Sequence, residues 1–277
     1  MRVGIGLPTT TPGFSGELIS DWARRAEEAG FNSLGVVDRV AYDSLEPLTA
    51  LGAAAAVTSR VRLVTMAVIG PLRNTALLAK QAATLDVLSG GRLTLGLTIG
   101  ARSDDYESVG VATAGRGAAL SEQLAELRAA WDEDIGSRAA QKGGPDLLVG
   151  GTSGAAMLRM AQSADGYVHG GGPPRAFSSA AERAFAAWEE AERAARPQLW
   201  GQGFFALSDA DRGREYMRSY YAFTGGFAER IAAETLTTAA ALGDFLRGYE
   251  AAGCDELVLF PTISQIDELD RLAEIVL

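Results

Sequence analysis

One cysteine, one histidine and two lysines in 277 residues leave this chain little covalent chemistry of its own. The single thiol, Cys254, rules out an intrachain disulfide framework, and one Cys with one His cannot assemble the ligand sets that hold zinc or iron–sulfur centres. A protein-bound metal would need carboxylates around Mg, Mn or Ca. Lys80 and Lys142 are the only Schiff-base candidates, no Gly-x-Ser-x-Gly elbow occurs, and His169 is the sole imidazole able to activate a serine. Basic charge is also short: 25 Lys+Arg against 35 Asp+Glu give −10, which repels nucleic-acid backbones and anionic membrane surfaces. The N-terminus runs straight into a strand-like segment without a charged leader, and the longest alanine-rich run, 48–57, is too short to span a bilayer. The expectation is a cytoplasmic protein with no nucleic acid and no membrane partner.

What the chain does have is a 47% hydrophobic content and 33 glycines. Short runs rich in Val, Ile and Leu alternate with segments of helical period, the pattern of a buried parallel sheet. Strands are predicted over residues 3–7, 34–37, 61–69, 93–99, 147–149, 166–169, 199–207 and 256–260. Helices are predicted over 15–29, 46–58, 74–88, 118–131, 155–163, 176–195, 209–221, 236–251 and 265–276. Ser15 suits the cap of the first helix and Gly30 its end. Eight strand–helix units in one series make a closed (β/α)8 barrel the natural α/β architecture, one domain over 1–277, with an open doubly wound sheet as the alternative. The most irregular stretch, 135–145, lies inside that series and is no interdomain linker.

In a closed barrel, function sits at the C-terminal ends of the strands. Glycine there lets backbone N–H groups approach an anion, and a helix N-terminus adds its dipole. Gly150-Gly151-Thr152-Ser153 fits a phosphate cradle, or equally an ordinary turn capped by Thr152 or Ser153. Gly170-Gly171-Gly172 is a second candidate, or a flexible loop. Asp38 ends an apolar strand, where a carboxylate is costly unless paired or functional; the plainer alternative is a cap on its own loop, and Arg39 beside it points to the other side. His169 reads as a proton donor or as a satisfied structural histidine. Asp104-Asp105 could hold a metal, though paired acids opening a helix also complement its dipole. Trp22, Trp131 and Trp188 lie in helices as packing groups, and Cys254 reads as a small buried residue.

Three stretches carry a resemblance: AKQAATLDVLSGGR at 79–92, GFNSLGVVD at 30–38 and DLLVGGTSGAAMLRMAQSADGYV at 146–168. Together they resemble the luciferase-like family of flavin- and deazaflavin-dependent oxidoreductases, nearly end to end. The resemblance implies a TIM barrel that binds coenzyme F420 or FMN, with the phosphate near Gly151, Thr152 and Ser153. It implies a bulge with a non-proline cis peptide at Ala67–Val68 behind the ring, and Gly100, Ala101 and Asp104 flanking the cofactor. It also implies a small-molecule substrate and a homodimer. Arg39 stands where many relatives carry histidine, and the region after Trp131 is shorter than in the luciferases, a trimmed lid that suits hydride transfer better than oxygen activation. Asp38 at the second strand end and the short lid resemble the deazaflavin branch, so F420 is favoured over FMN, with Asp38 orienting polar groups near the ring and His169 or Tyr106 supplying the proton. An FMN-dependent monooxygenase, a non-catalytic flavin-binding protein, and an isomerase or lyase acting on a phosphorylated substrate are the alternatives.

Overall fold

The computed structural model describes residues 1–132 and 138–277. Residues 133–137, which include the start of the irregular stretch, lie outside the described residues. The parallel strands are β1 (Arg2–Gly6), β2 (Ser33–Val36), β3 (Arg62–Thr65), β4 (Val68–Ile69), β5 (Leu93–Thr98), β6 (Asp146–Gly150), β7 (Gly166–Val168), β8 (Gln198–Phe205) and β9 (Glu256–Pro261). Their order, β3-β2-β1-β9-β8-β7-β6-β5-β4 with β3 also paired to β5, closes the barrel. β3 and β4 are one barrel strand in two pieces, so the eight predicted strands are all present and the third is interrupted. The helices surround the barrel, as the strand–helix alternation predicts.

Ser15 accepts from the Leu18 N–H at the start of α1 (Gly16–Ala29), and Gly30 ends it in the left-handed conformation, where glycine carries no Cβ penalty. α2 (Pro47–Val57) and α3 (Thr75–Ser89) follow, then α4 (Ser103–Ser108), α5 (Arg116–Asp132), α6 (Gly154–Ser163) and α7 (Pro174–Glu190). The segment after β8 holds α8 (Ala210–Tyr220), the unpredicted short α9 (Phe227–Ala233), and α10 (Ala239–Ala251); α11 (Ile266–Val276) ends the chain. Among the described residues, no helix is long and apolar enough to cross a membrane.

Two apolar layers follow from the two-residue period of each strand. Val37, Val64, Leu148, Val168, Trp200 and Val258 fill the barrel interior. Leu34, Val36, Leu63, Leu95 and Leu97 face the helices, among which Trp22, Trp131 and Trp188 are buried. Cys254 is also in this layer; its thiol donates to the Glu256 carbonyl at 3.2 Å, and burial pushes it up to about 12.

Candidate functional site at the barrel mouth

Strand parity decides what each end residue can touch. Val37 lies inside the barrel, so Asp38 turns outward and Arg39 inward. The Asp38 carboxylate is 1% exposed and receives both Arg73 nitrogens, Nη1 to Oδ2 at 2.6 Å and Nη2 to Oδ1 at 3.0 Å. It also accepts the Ile69 N–H at 2.8 Å. Burial works against the Arg73 charge, but Asp38 and Glu46 outweigh it and raise its pKa. Asp38 thus anchors β4 from behind, and its partner Arg73, 35 residues on, has no local signature beside Asp38.

Between β3 and β4 the cis peptide is Met66–Ala67, one residue before the expected Ala67–Val68. Met66 and Ala67 both pack into the interior, whereas Val68 has turned outward into the helix-facing layer. Pairing to β5 resumes only at Val68, which is why the displaced pair is 66–67. Ala67 is half-buried and is the member of the expected pair that faces the mouth.

Arg39 sits above Val37 in a cluster of charges and rings. Its Nε donates to Asp105 Oδ2 at 2.8 Å and its Nη2 to Asp104 Oδ2 at 3.3 Å. Its guanidinium lies 4.9 Å from the Tyr42 ring and 5.7 Å from that of Tyr220, a favourable cation–π setting. Asp105 accepts further from the Val40 and Ala41 N–H groups. Arg102 donates twice to Asp104 and once to the Tyr220 carbonyl at the end of α8. The Arg102 hydrogen bond, opposed by burial, holds Asp104 below the usual carboxylate range. Asp104 and Asp105 are thus spent on arginines, and among the described residues no group of three or more His, Cys, Asp or Glu could hold a metal. The network ties the β2 loop and α4 to α8, whose Tyr216 and Met217 pack with Tyr220, Tyr221 and Phe204 as a roof over the mouth.

The other predicted residues fall in three places. Gly100, with φ +68, packs on Ile69, and Ala101 beside it is exposed. Tyr106 is buried and donates its hydroxyl to the Ile99 carbonyl at 2.6 Å. His169 follows the inward Val168 and so faces the helix layer: its Nδ1 lies 3.1 Å from the Tyr167 hydroxyl, its ring stands edge-on to Phe177 of α7, and its Nε2 has no partner among the described residues.

Burial lowers His169 from 6.5 to about 4, only partly countered by the Gly171 backbone, so the imidazole is neutral at neutral pH. The unfolded chain then binds a proton that the fold does not across that window, and stability falls as pH drops from about 6.5 to about 4, by about 3 kcal/mol in all. His169→Leu should flatten this slope; urea unfolding from pH 4.5 to 7.5 measures it, and an unchanged slope would sink the assignment.

Two glycine turns complete the mouth. After β6, Gly151 has φ +127, and a Cβ there would lie 2.8 Å from Ala156, so only glycine fits. Ser153 accepts from the Ala156 N–H and is the cap of α6, while Thr152 is exposed with Arg183 donating to its carbonyl. After β7, Gly170 and Gly172 have their carbonyls held by Gln202 Nε2 at 3.0 Å and the Tyr249 hydroxyl at 2.9 Å. Gln202 Oε1 is buried without a partner among the described residues. A cavity of 580 Å³ opens between this second turn and the roof.

The chain is thus a closed parallel barrel with an interrupted third strand and glycine turns at its mouth, and it matches a known family. The model of the luciferase-like monooxygenase family matches residues 1–253, and the chain belongs to that family of oxidoreductases. An uncharacterized protein of Mycobacterium tuberculosis is 34% identical over 187 residues, 55% of this chain and 65% of the relative, so the chain spans somewhat under two thirds of that relative's length. An F420-dependent secondary alcohol dehydrogenase, solved with an F420–acetone adduct, superposes with a TM-score of 0.81 at 16% identity over 99% of this chain and 98% of that one. The oxygenating constituent of a Pseudomonas putida 3,6-diketocamphane monooxygenase, solved with FMN, gives 0.74 at 17% identity over 99% and 95%.

Sequence reasoning missed Arg73, Gln202 and the pairing of Arg39 with Asp105. Parity around Val37 and Trp200 was the available signal for Arg39 and Gln202, both inward-facing. Nothing local pointed to Arg73.

Proposed function

We propose that the chain exchanges hydride between a reduced cofactor, coenzyme F420 in preference to FMN, and a small organic substrate. One observation carries this reading: a bulge at Met66–Ala67, with Met66 buried and Ala67 half-buried, is anchored from behind by Asp38 and stands at the same mouth as an exposed glycine turn opening α6. The residues fit such a cofactor. Gly151, Thr152, Ser153 and the α6 N-terminus would hold its phosphate, Ala67 would back its ring, and Gly100 and Ala101 would flank it. When bound, the deazaflavin or flavin supplies the hydride-carrying atom.

The chain's own residues bind and orient. Asp38 acts through the Ile69 N–H as a positioning residue, Arg39 keeps a permanent positive charge under the roof, and the α8 tyrosines exclude water. Tyr106 and His169 have their polar atoms turned to the Ile99 carbonyl and the helix layer, so solvent at the mouth is the better proton source. A second reading, an FMN-dependent monooxygenase using externally reduced flavin, is favoured by the aromatic roof, which would enclose a site despite the short segment after Trp131.

Fluorescence titration of the purified chain with F420 and FMN separates these. Tight F420 binding with weak FMN binding is the expected result; the reverse replaces the first reading by the second. Binding of neither removes both. Cofactor binding without oxidation of the reduced form across carbonyl, imine and enone substrates leaves a binding protein.

A further inference from the structure

The 580 Å³ cavity between the Gly170–Gly172 turn and the roof is lined by none of Gly150, Gly151, Thr152 and Ser153, and its lining is of two kinds. Phe204, Met217, Tyr221, Ile231 and Phe245 supply apolar surface. Arg175, in the first turn of α7, and Arg230, on α9, line it as well, both exposed, together with Glu234. Neither arginine makes an ion pair among the described residues; Arg230 leans over the Phe227 ring at 6.0 Å.

The backbone around the second glycine turn also favours an anion. α7 starts at Pro173 with no side-chain cap, so its N-terminal dipole is unanswered. The carbonyls of Gly170 and Gly172 are drawn off by Gln202 and Tyr249, while the N–H groups of Gly170, Gly171 and Gly172 have no backbone acceptor among the described residues. Gly171 and Gly172 hold φ +97 and +115, and a Cβ at either would meet no atom nearer than 3.5 Å. α6, by contrast, spends the Ser153 hydroxyl on its own first turn.

We propose that this cavity is the substrate subsite and takes an apolar molecule carrying one anionic group, a carboxylate or a phosphate, held by Arg175, Arg230 and the free N–H groups of the second glycine turn. That the ligand is a substrate rests on the oxidoreductase reading; the anion site itself does not. A volume of this size suits a small organic acid, and two unpaired guanidiniums with uncapped backbone donors recognise an oxyanion in preference to a neutral oxygen.

The test uses three fluorescent probes on the full chain: 2-naphthyl phosphate, 2-naphthoate and 2-naphthol. Both anions are expected to bind about tenfold or more tightly than the naphthol, and the tighter of the two identifies the natural headgroup. Arg175→Ala and Arg230→Ala should each lose about tenfold for the anions, leaving naphthol binding, the melting temperature and the affinity for F420 or FMN unchanged. Arg175→Lys should recover part of the loss. Equal affinity for naphthol and anions, no probe binding, or a loss of cofactor in place of probe would each overturn the proposal. A chain that binds no cofactor yet keeps arginine-dependent selectivity would sink the redox reading alone; one that binds cofactor without that selectivity would sink only the anion site.

Discussion

Arg73→Met should destabilise the chain by about 3–5 kcal/mol, because it strips a buried carboxylate of its only counter-ion among the described residues. Asp38 is 1% exposed, and without Arg73 it would retain, among the described residues, only the Ile69 N–H. The pair's net worth is smaller than this loss, since two charges were desolvated to make it. The double variant Asp38→Asn, Arg73→Met should therefore recover much of the stability, a non-additivity that a double-mutant cycle reads directly. Urea unfolding supplies the energies. A loss below about 1 kcal/mol for the single variant would show that water reaches Asp38 and that the anchor is not closed. Because Asp38 holds the backbone of Ile69, the single variant should also weaken cofactor binding.

Gly96→Ala should be comparably damaging, at about 3 kcal/mol, for a steric reason. A Cβ at 96 would lie 2.1 Å from the Thr65 carbonyl oxygen and 3.4 Å from the Ala67 methyl. Thr65 Oγ1 donates to the Gly96 carbonyl and accepts the Gly96 N–H, at 2.8 and 2.9 Å. The two strands are therefore fastened at the point where they would have to separate. Relief can come only by lifting the segment that leads to Ala67, so the melting temperature and the cofactor affinity should fall together. Gly52→Ala in α2 is the control: open space surrounds it, and a helical Gly→Ala change should stabilise by about 0.5–1 kcal/mol. A neutral Gly96→Ala would mean the bulge is not seated on this strand.

The features that local chemistry determines could be read directly from the chain. Ser15 and Gly30 delimit α1 because a cap and a left-handed stop act within a few residues, and the buried strands announce themselves as apolar runs between glycine turns. The interruption of the third strand was hidden because Thr65, Met66 and Ala67 are all acceptable strand residues. α9 was hidden because it is seven residues long and preceded by Gly225-Gly226. Partners distant in sequence stayed invisible: Arg73 for Asp38 and Asp105 for Arg39. Residue type pointed to the mouth, while parity decided which of these side chains look into it.

Asp38 and Arg39 are adjacent in the chain but belong to different neighbourhoods, one holding the wall and the other the chamber. Their roles can therefore change separately. A lineage could exchange Arg39 for another residue, with a matching change at Asp105, and alter what the chamber greets without loosening the wall. Inserting one residue between Val37 and Asp38 would do the opposite, turning a carboxylate into the chamber and a guanidinium toward Arg73. Length in this short segment is thus more tightly constrained than composition.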